Sequence, residues 1–238
     1  DVNGLFQHAA GDSKRDDRTQ PEGGMITLWG RASSANVQKA VWALGELGLS
    51  YEHIPLGGKL GGNKEPAYLA MNPNGLVPTL RDGDLIVWES HAIVRYLAAS
   101  YGAGTLWPAD PRDRAVVDQW TEWSASTFQP AWLQLFWKFF RTPPAERDAE
   151  AVGRTLEGTQ RCLGMLDARL AVAPFLGGDR LTYADIVAGV AMYRLTTMGL
   201  SVPLGANVSA WHARLNKREA FRVGVNVDYE ELRGRLAF

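Results

Sequence analysis

Residues 72–90 read NPNGLVPTLRDGDLIVWES and carry the densest run of structural signals in the chain. Asn72–Gly75 is a turn sequence, because asparagine, proline and glycine each favour turn geometry. The apolar runs 77–81 and 85–88 flank Asp82-Gly83-Asp84, and this arrangement predicts a β-hairpin. A helix is expected directly after the hairpin. The stretch therefore predicts two antiparallel strands at the end of a sheet.

The residues before this stretch alternate between strand and helix patterns. Residues 26–30 and 51–56 are short apolar runs that predict strands. Residues 37–49 place apolar side chains at helical spacing, and residues 65–71 fit a short helix. The single crossover makes one strand pair parallel, whereas the hairpin is antiparallel. We expect an α+β domain with a mixed four-stranded sheet over residues 25–103.

Strand patterns end at the proline-rich segment Trp107–Pro111. Long stretches with helical spacing follow, and prolines and glycines separate them. The predicted helices cover 112–140, 144–173, 182–197 and 208–216. Residues 112–238 are thus expected to form an all-α domain with a C-terminal tail.

Composition narrows the class of protein. The chain has 238 residues, of which 46% are hydrophobic, and a net charge of −1, so it can form a sizeable core and shows no sign of a nucleic-acid or anionic-membrane partner. No apolar run approaches the about 18 to 20 residues that a membrane span requires. Cys162 is the single cysteine, which excludes an intramolecular disulfide framework and is compatible with a reducing cytoplasm.

Neither residues 1–24 nor the four histidines indicate a functional site. Residues 1–24 hold five acidic and three basic side chains and no apolar stretch, so we interpret them as a leader segment or a disordered natural extension. The four histidines show no metal-ligand spacing, and no metal is expected. His91 is predicted to lie on a helix surface.

Four motifs, in this order, resemble the glutathione-transferase family. They are Ser34–Lys39 (SANVQK), Asn72–Leu80, Glu89–Ile93 (ESHAI) and Leu181–Ile186 (LTYADI). The similarity spans roughly residues 25–222, and the spacing of Ser34, Asn36 and Lys39 resembles that of bacterial members with a serine or threonine followed by asparagine. It implies a thioredoxin-like first domain, a helical second domain and a homodimer in the cytoplasm. Glutathione would be the co-substrate, and no other cofactor is implied.

The resemblance also assigns glutathione-binding residues. A cis Val77–Pro78 bond would turn the Val77 backbone toward the cysteinyl part of glutathione, whereas the pattern alone favours a trans proline at a strand start. Ser90 would bind the γ-glutamyl carboxylate at a helix N-terminus and Glu89 the ammonium, although an ordinary capping pair fits the same spacing. Leu76 is also assigned to the glutathione site. Lys64 is expected to approach the glycyl carboxylate, with Lys59 as the alternative cation, and a solvated loop charge fits the same position equally well.

The catalytic group is expected to be a hydroxyl that stabilises the glutathione thiolate, since the thiolate is the nucleophile. No tyrosine or cysteine follows the first strand, so the candidates are Ser34 as donor, Asn36 as second donor, and Ser33 as the alternative. Both serines could instead only cap the helix.

The last assignments concern the second domain. Thr182 and Asp185 have the spacing of a helix-capping pair, which favours a structural role. Aromatic residues crowd positions 120–140, where core packing or a dimer contact would be ordinary. By resemblance this helix lines the pocket for a hydrophobic electrophile, with Trp123, Phe128 and Trp132 as candidates. The activity implied is conjugation; glutathione-dependent disulfide or peroxide reduction, or non-catalytic binding, are the alternatives.

Overall fold

A computed structural model describes residues 25–237; the expectation for residues 1–24 lies outside this range. The sheet contains β1 (Ile26–Trp29), β2 (Tyr51–Ile54), β3 (Thr79–Asp82) and β4 (Leu85–Trp88), in the order β2-β1-β3-β4. β1 is parallel to β2 and antiparallel to β3, and β3 is antiparallel to β4. The predicted mixed four-stranded sheet is confirmed.

Three helices accompany the sheet: α1 (Ala35–Glu46), α2 (Pro66–Leu69) and α3 (Ser90–Tyr101). The predicted order of strands and helices is confirmed, with ends that differ by a few residues. The Val77–Pro78 peptide bond is cis, as expected, and directly precedes β3. The chain therefore has a thioredoxin-like N-terminal domain.

The C-terminal domain is helical. Its helices are α4 (Pro111–Trp123), α5 (Gln129–Phe136), α6 (Ala149–Leu170), α7 (Tyr183–Thr197), α8 (Ala206–Asn216) and α9 (Glu219–Val225). The single helix predicted over 112–140 is interrupted by π-helical turns at Ser124–Phe128 and Trp137–Arg141. Pro130 lacks the N–H that a regular helix requires, and the first π-helical turn lies directly before it. α9 lies beyond Asn216, where the last helix predicted from the sequence ends.

α7 is the centre of the molecule. Its residues are buried along nearly the whole helix, as expected for a helix that is apolar on all sides. It packs against α1 and α3 of the first domain and against α4 and α5 of the second. At Gly189 a β-carbon would lie 3.0 Å from the ring of Trp42 on α1. The absence of a side chain there lets the two domains approach closely.

The start of α7 depends on Asp185, which is completely buried. Its carboxylate accepts hydrogen bonds from the Thr182 N–H (2.9 Å), the Leu176 N–H (2.9 Å) and the Trp211 indole N–H (3.0 Å). The Thr182 hydroxyl also donates to it, at 3.1 Å. The predicted capping pair is confirmed, and it extends to α8 through Trp211.

Candidate active site

The loop between β1 and α1 places two serines at the N-terminus of α1. Gly30 has a φ of +151°, and a β-carbon there would lie 2.4 Å from Val37 and 3.3 Å from Val77. Only glycine lets the chain pass between α1 and the cis-proline turn at this point. Ser33 and Ser34 follow in a compact turn, and both are largely buried.

The two serines differ in what they contact. Ser34 is the N-cap residue, yet within the described chain its hydroxyl makes no capping hydrogen bond to α1. The Ser33 hydroxyl donates to Glu231 Oε1 at 2.5 Å, and the Ser33 carbonyl accepts from Arg194 Nη2 at 2.5 Å. The Ser33 hydroxyl is therefore hydrogen-bonded to the C-terminal segment, whereas the Ser34 hydroxyl makes no hydrogen bond that caps α1.

The turn before β3 is held by two buried side chains. The Tyr68 hydroxyl and the Asn72 amide both donate to the Leu76 carbonyl, at 2.7 and 2.9 Å. This anchoring fixes the backbone that leads into Val77 and the cis bond. Lys64 is nearby but exposed, and its ammonium donates to the Asn74 carbonyl at 3.3 Å.

Glu89 and Ser90 lie where β4 passes into α3. Glu89 has a φ of +71°, the single non-glycine residue with positive φ among residues 25–237. A bulky side chain in this region costs about 1–3 kcal/mol, and such strain concentrates at functional sites. Ser90 begins α3 and is 5% exposed. The strained turn leads into Ser90, whose hydroxyl donates to Asn36 Oδ1 in the first turn of α1 at 3.4 Å.

Lys39 joins these two regions. It is fully buried, and its Nζ lies 3.0 Å from Asn36 Oδ1, 2.9 Å from His91 Nε2 and 3.4 Å from Ser90 Oγ. It also donates to Gln129 Oε1 of α5. The sequence includes Lys39 in a family-like motif but gives it no role. The available signal was its spacing of three from Asn36, which places both side chains together on one helix face.

His91 belongs to this cluster, and its prediction as a surface residue is wrong. The ring is half-buried, and its Nε2 lies 2.9 Å from Lys39 Nζ. Burial, reinforced by the neighbouring charges of Lys39 and Arg95, lowers the pKa of His91 to about 3. The imidazole is therefore neutral at physiological pH.

The aromatic residues expected in the electrophile pocket do not share one location. Phe128 and Trp132 are 0% and 2% exposed and belong to the helical core, so the expectation that they line an open pocket is corrected. Trp123 is half-buried and stacks on Phe128 at 5.6 Å. Trp132 faces the core because the buried side of α5 packs against α6 and α7.

A groove of about 490 Å³ runs along the opposite face of α5. Gln129, Leu133 and Trp137 line it at intervals of four residues, which places them on one helix face. Gln129 contacts Lys39 at one end. At the other end, the Arg141 guanidinium lies over the Trp137 ring at 3.8 Å. The groove therefore starts beside the Lys39 cluster.

The C-terminal segment, residues 226–237, lies over the Ser33 loop. Glu231 Oε2 pairs with Lys59 at 2.6 Å, and Arg141 Nε donates to the Arg235 carbonyl at 2.6 Å. Burial by itself raises the pKa of Glu231. The hydrogen bonds from Lys59 and Ser33 together have the larger effect, and the pKa of Glu231 is below its usual value. The carboxylate is therefore ionised at neutral pH, and Lys59 is engaged with it.

Residues 25–237 contain neither a metal-binding cluster nor a membrane-spanning helix. No group of three or more histidine, cysteine, aspartate or glutamate side chains there could hold a metal ion. None of the helices in this part of the chain has the length and apolar character to cross a membrane.

Comparisons with known proteins agree with the geometry. The model of the glutathione S-transferase N-terminal domain matches residues 24–99, and that of the C-terminal domain matches residues 128–219. Glutathione S-transferase GstB of Escherichia coli (strain K12) is 43% identical over 200 residues, which cover 83% of this chain and 96% of that protein. The probable glutathione S-transferase GSTF2 of Oryza sativa subsp. japonica is 34% identical over 201 residues, covering 81% and 92%.

Solved structures give the same result. The theta class glutathione S-transferase from Xanthomonas axonopodis pv. citri, crystallised with glutathione bound, has a TM-score of 0.82 and 46% identity to this chain. The match covers 86% of this chain and 98% of that one. Ure2p in complex with glutathione has a TM-score of 0.75 at 28% identity, over 87% and 96% of the two chains.

Proposed function

The chain belongs to the glutathione S-transferase family, and from that premise we propose that it joins the glutathione thiolate to a hydrophobic electrophile. One observation carries the proposal. The Ser34 hydroxyl is not committed to capping α1, and it stands in a loop packed against the cis Val77–Pro78 turn. A hydroxyl at this position, near a helix N-terminus, suits a donor to an anionic sulfur.

The remaining candidate residues accommodate the rest of the tripeptide. Ser90 and the N–H groups of α3 offer donors for the γ-glutamyl carboxylate, and Glu89 offers a carboxylate for the ammonium. The Val77 backbone, held through Leu76, pairs with the cysteinyl residue. Lys64 stands beside this turn for the glycyl end, since Lys59 is engaged with Glu231.

The chemistry requires loss of the thiol proton to solvent before attack. Ser34 donates to the resulting sulfur anion, with Asn36 as second donor, and each unit by which the thiol pKa falls corresponds to about 1.4 kcal/mol. The sulfur then forms a bond to the electrophilic carbon, and the leaving group departs with its electron pair. The groove along Leu133 and Trp137 supplies apolar surface for that electrophile.

We further propose a homodimer in the cytoplasm, with glutathione as co-substrate and no other cofactor. The edge strand β4 exposes Leu85, Ile86 and Trp88, which are 42%, 38% and 38% exposed. Proteins rarely leave such an apolar edge strand uncovered. Sedimentation equilibrium of the full chain tests this part, with a monomer at micromolar concentration contradicting it.

The test of function combines binding with turnover. We expect the protein to bind glutathione in calorimetry and to conjugate it to 1-chloro-2,4-dinitrobenzene. Ser90→Ala is expected to weaken binding by about 1–3 kcal/mol, because a hydrogen bond to a charged group is lost. The exposed Ser201 provides a matched control, and Ser201→Ala should leave affinity unchanged.

Other outcomes separate the alternatives. Reduction of a glutathione mixed disulfide without conjugation would favour a disulfide reductase. Binding without either reaction would favour a non-catalytic protein. Unchanged affinity in Ser90→Ala would overturn the placement of the γ-glutamyl carboxylate.

A further inference from the structure

The Lys39 ammonium determines the orientation of its neighbours. An ammonium has three hydrogens and no acceptor, so its three nearest polar neighbours, on Asn36, His91 and Gln129, must each present a lone pair. Asn36 therefore faces Lys39 with its amide oxygen at 3.0 Å, and His91 with an unprotonated Nε2 at 2.9 Å. Gln129 likewise presents its Oε1. The chemistry of one buried side chain fixes three others.

These orientations bear on both ends of the proposed glutathione site. Because the Asn36 oxygen faces Lys39, its Nδ2 hydrogens are turned away from the cluster and can serve as donors. Ser90 Oγ is 3.4 Å from Lys39 Nζ and 3.4 Å from Asn36 Oδ1. In the unliganded protein the Ser90 hydroxyl donates to Asn36 Oδ1, and a carboxylate that binds at Ser90 would accept this hydrogen instead.

The surroundings of Lys39 in the unliganded protein stabilise its ammonium form only weakly. Glu89 favours the ammonium, Arg194 of α7 opposes it, and the neutral His91 adds no charge. Burial is the largest effect and lowers the pKa of Lys39 to about 7. A carboxylate that arrives at Ser90 would favour the ammonium.

We propose that Lys39 is a positioning residue that couples the carboxylate-binding end of the glutathione site, at Ser90, to the thiolate-binding end, at Asn36. This inference rests on the proposed function. Lys39 is fully buried and acts through these two side chains without touching the substrate. Its ammonium forms fully when the γ-glutamyl carboxylate binds, and Asn36 is thereby locked as a donor.

The first test uses glutathione and γ-aminobutyryl-cysteinyl-glycine, which keeps the ammonium and lacks the adjacent carboxylate. Lys39→Met should weaken glutathione binding at least tenfold and change affinity for the analogue less than twofold. Lys39→Arg should recover part of the affinity, and Lys217→Met, at an exposed lysine, should have no effect. An equal loss for both ligands would overturn the proposal, because it would indicate a general structural defect.

The second test needs only the wild-type fold and uses S-methylglutathione, which has no thiol to ionise. Burial favours the neutral form of Lys39 in the unliganded protein, so binding at pH 8 should take up protons, measured by calorimetry in buffers of different ionisation enthalpy. Affinity should fall as pH rises from 7 to 9. The proton uptake that remains in Lys39→Met comes from the ligand ammonium. The difference in proton uptake between wild type and Lys39→Met comes from Lys39.

The outcomes separate the two proposals. If wild-type protein binds neither glutathione nor S-methylglutathione, the proposed function fails. If wild-type protein binds both, and proton uptake is the same in Lys39→Met, only the role of Lys39 is overturned.

Discussion

Ser33 and Ser34 are adjacent and chemically identical, yet the fold gives them different partners. Ser33 donates to Glu231, 198 positions later in the chain. A hydroxyl has one hydrogen to donate, so Ser33 cannot also serve a sulfur anion while this contact persists. The Ser34 hydroxyl makes no capping hydrogen bond to α1. The contact from the C-terminal segment, which no local pattern predicts, favours Ser34 as the proposed donor.

We therefore expect Ser34→Ala to raise the apparent pKa of bound glutathione by about one to two units, or roughly 1.4–2.7 kcal/mol. Turnover near neutral pH should fall about 10- to 100-fold, and raising the pH should recover much of the rate. Affinity for glutathione should change little. The measurement is the ultraviolet absorbance of the bound thiolate against pH.

Ser33→Ala is the matched control and should shift this titration much less. A shift in Ser33→Ala with none in Ser34→Ala would transfer the role to Ser33. If neither variant shifts it, Asn36 or a backbone N–H holds the sulfur.

Among the helices, α7 depends most on one side chain. Asp185→Ala leaves the N–H groups of Leu176, Thr182 and Trp211 buried without their acceptor, and each such loss costs about 1–3 kcal/mol. We expect a total of at least about 3 kcal/mol, or about 6–12 °C in Tm for a chain of this size. Differential scanning calorimetry measures it, and kcat of the folded fraction should not change.

Asp148 is the matched control for this element. It caps α6 through N–H groups of Glu150 and Ala151 at 2.9 and 3.0 Å, but it is exposed. Asp148→Ala should cost only about 1 kcal/mol. A fall in kcat for Asp185→Ala with an unchanged melting curve would mean that Asp185 has a catalytic role.

Across the whole molecule, the C-terminal segment is held by two kinds of contact. The Tyr229 ring lies 5.0 Å from Phe140, 5.7 Å from Phe136 and 5.8 Å from Tyr193, and it is 6% exposed. The Lys59–Glu231 ion pair is partly exposed, with side-chain exposures of 57% and 22%. Buried aromatic contact stabilises far more than a pair that water screens.

Tyr229→Ala should therefore lower the free energy of unfolding by about 3–5 kcal/mol, as removal of a buried aromatic ring does. Glu231→Gln should lower it by less than about 1 kcal/mol. Urea denaturation of both variants compares them. Equal effects would show that the contacts of Glu231 anchor the segment as strongly as the aromatic cluster does.

The sequence by itself determined the features whose causes are local. The turn at Asn72–Gly75, the hairpin around Gly83 and the capping pair Thr182–Asp185 follow from residue types at short spacing. The alternation of strands and helices then restricted the first domain to a mixed sheet, since connection rules leave few topologies. These elements could be predicted because each depends on neighbours within a few residues.

The tertiary structure decided what depends on distant contacts. Helical spacing shows that Trp132 and Leu133 lie on different faces of α5, but which face meets the core depends on where α6 and α7 pack. In the sequence, Lys39 cannot be distinguished from an ordinary helix lysine. In the structure, His91 and Gln129, 52 and 90 positions away, contact its ammonium. Burial and charge pairing depend on tertiary packing, so the roles of these residues can be recognised only in the folded structure.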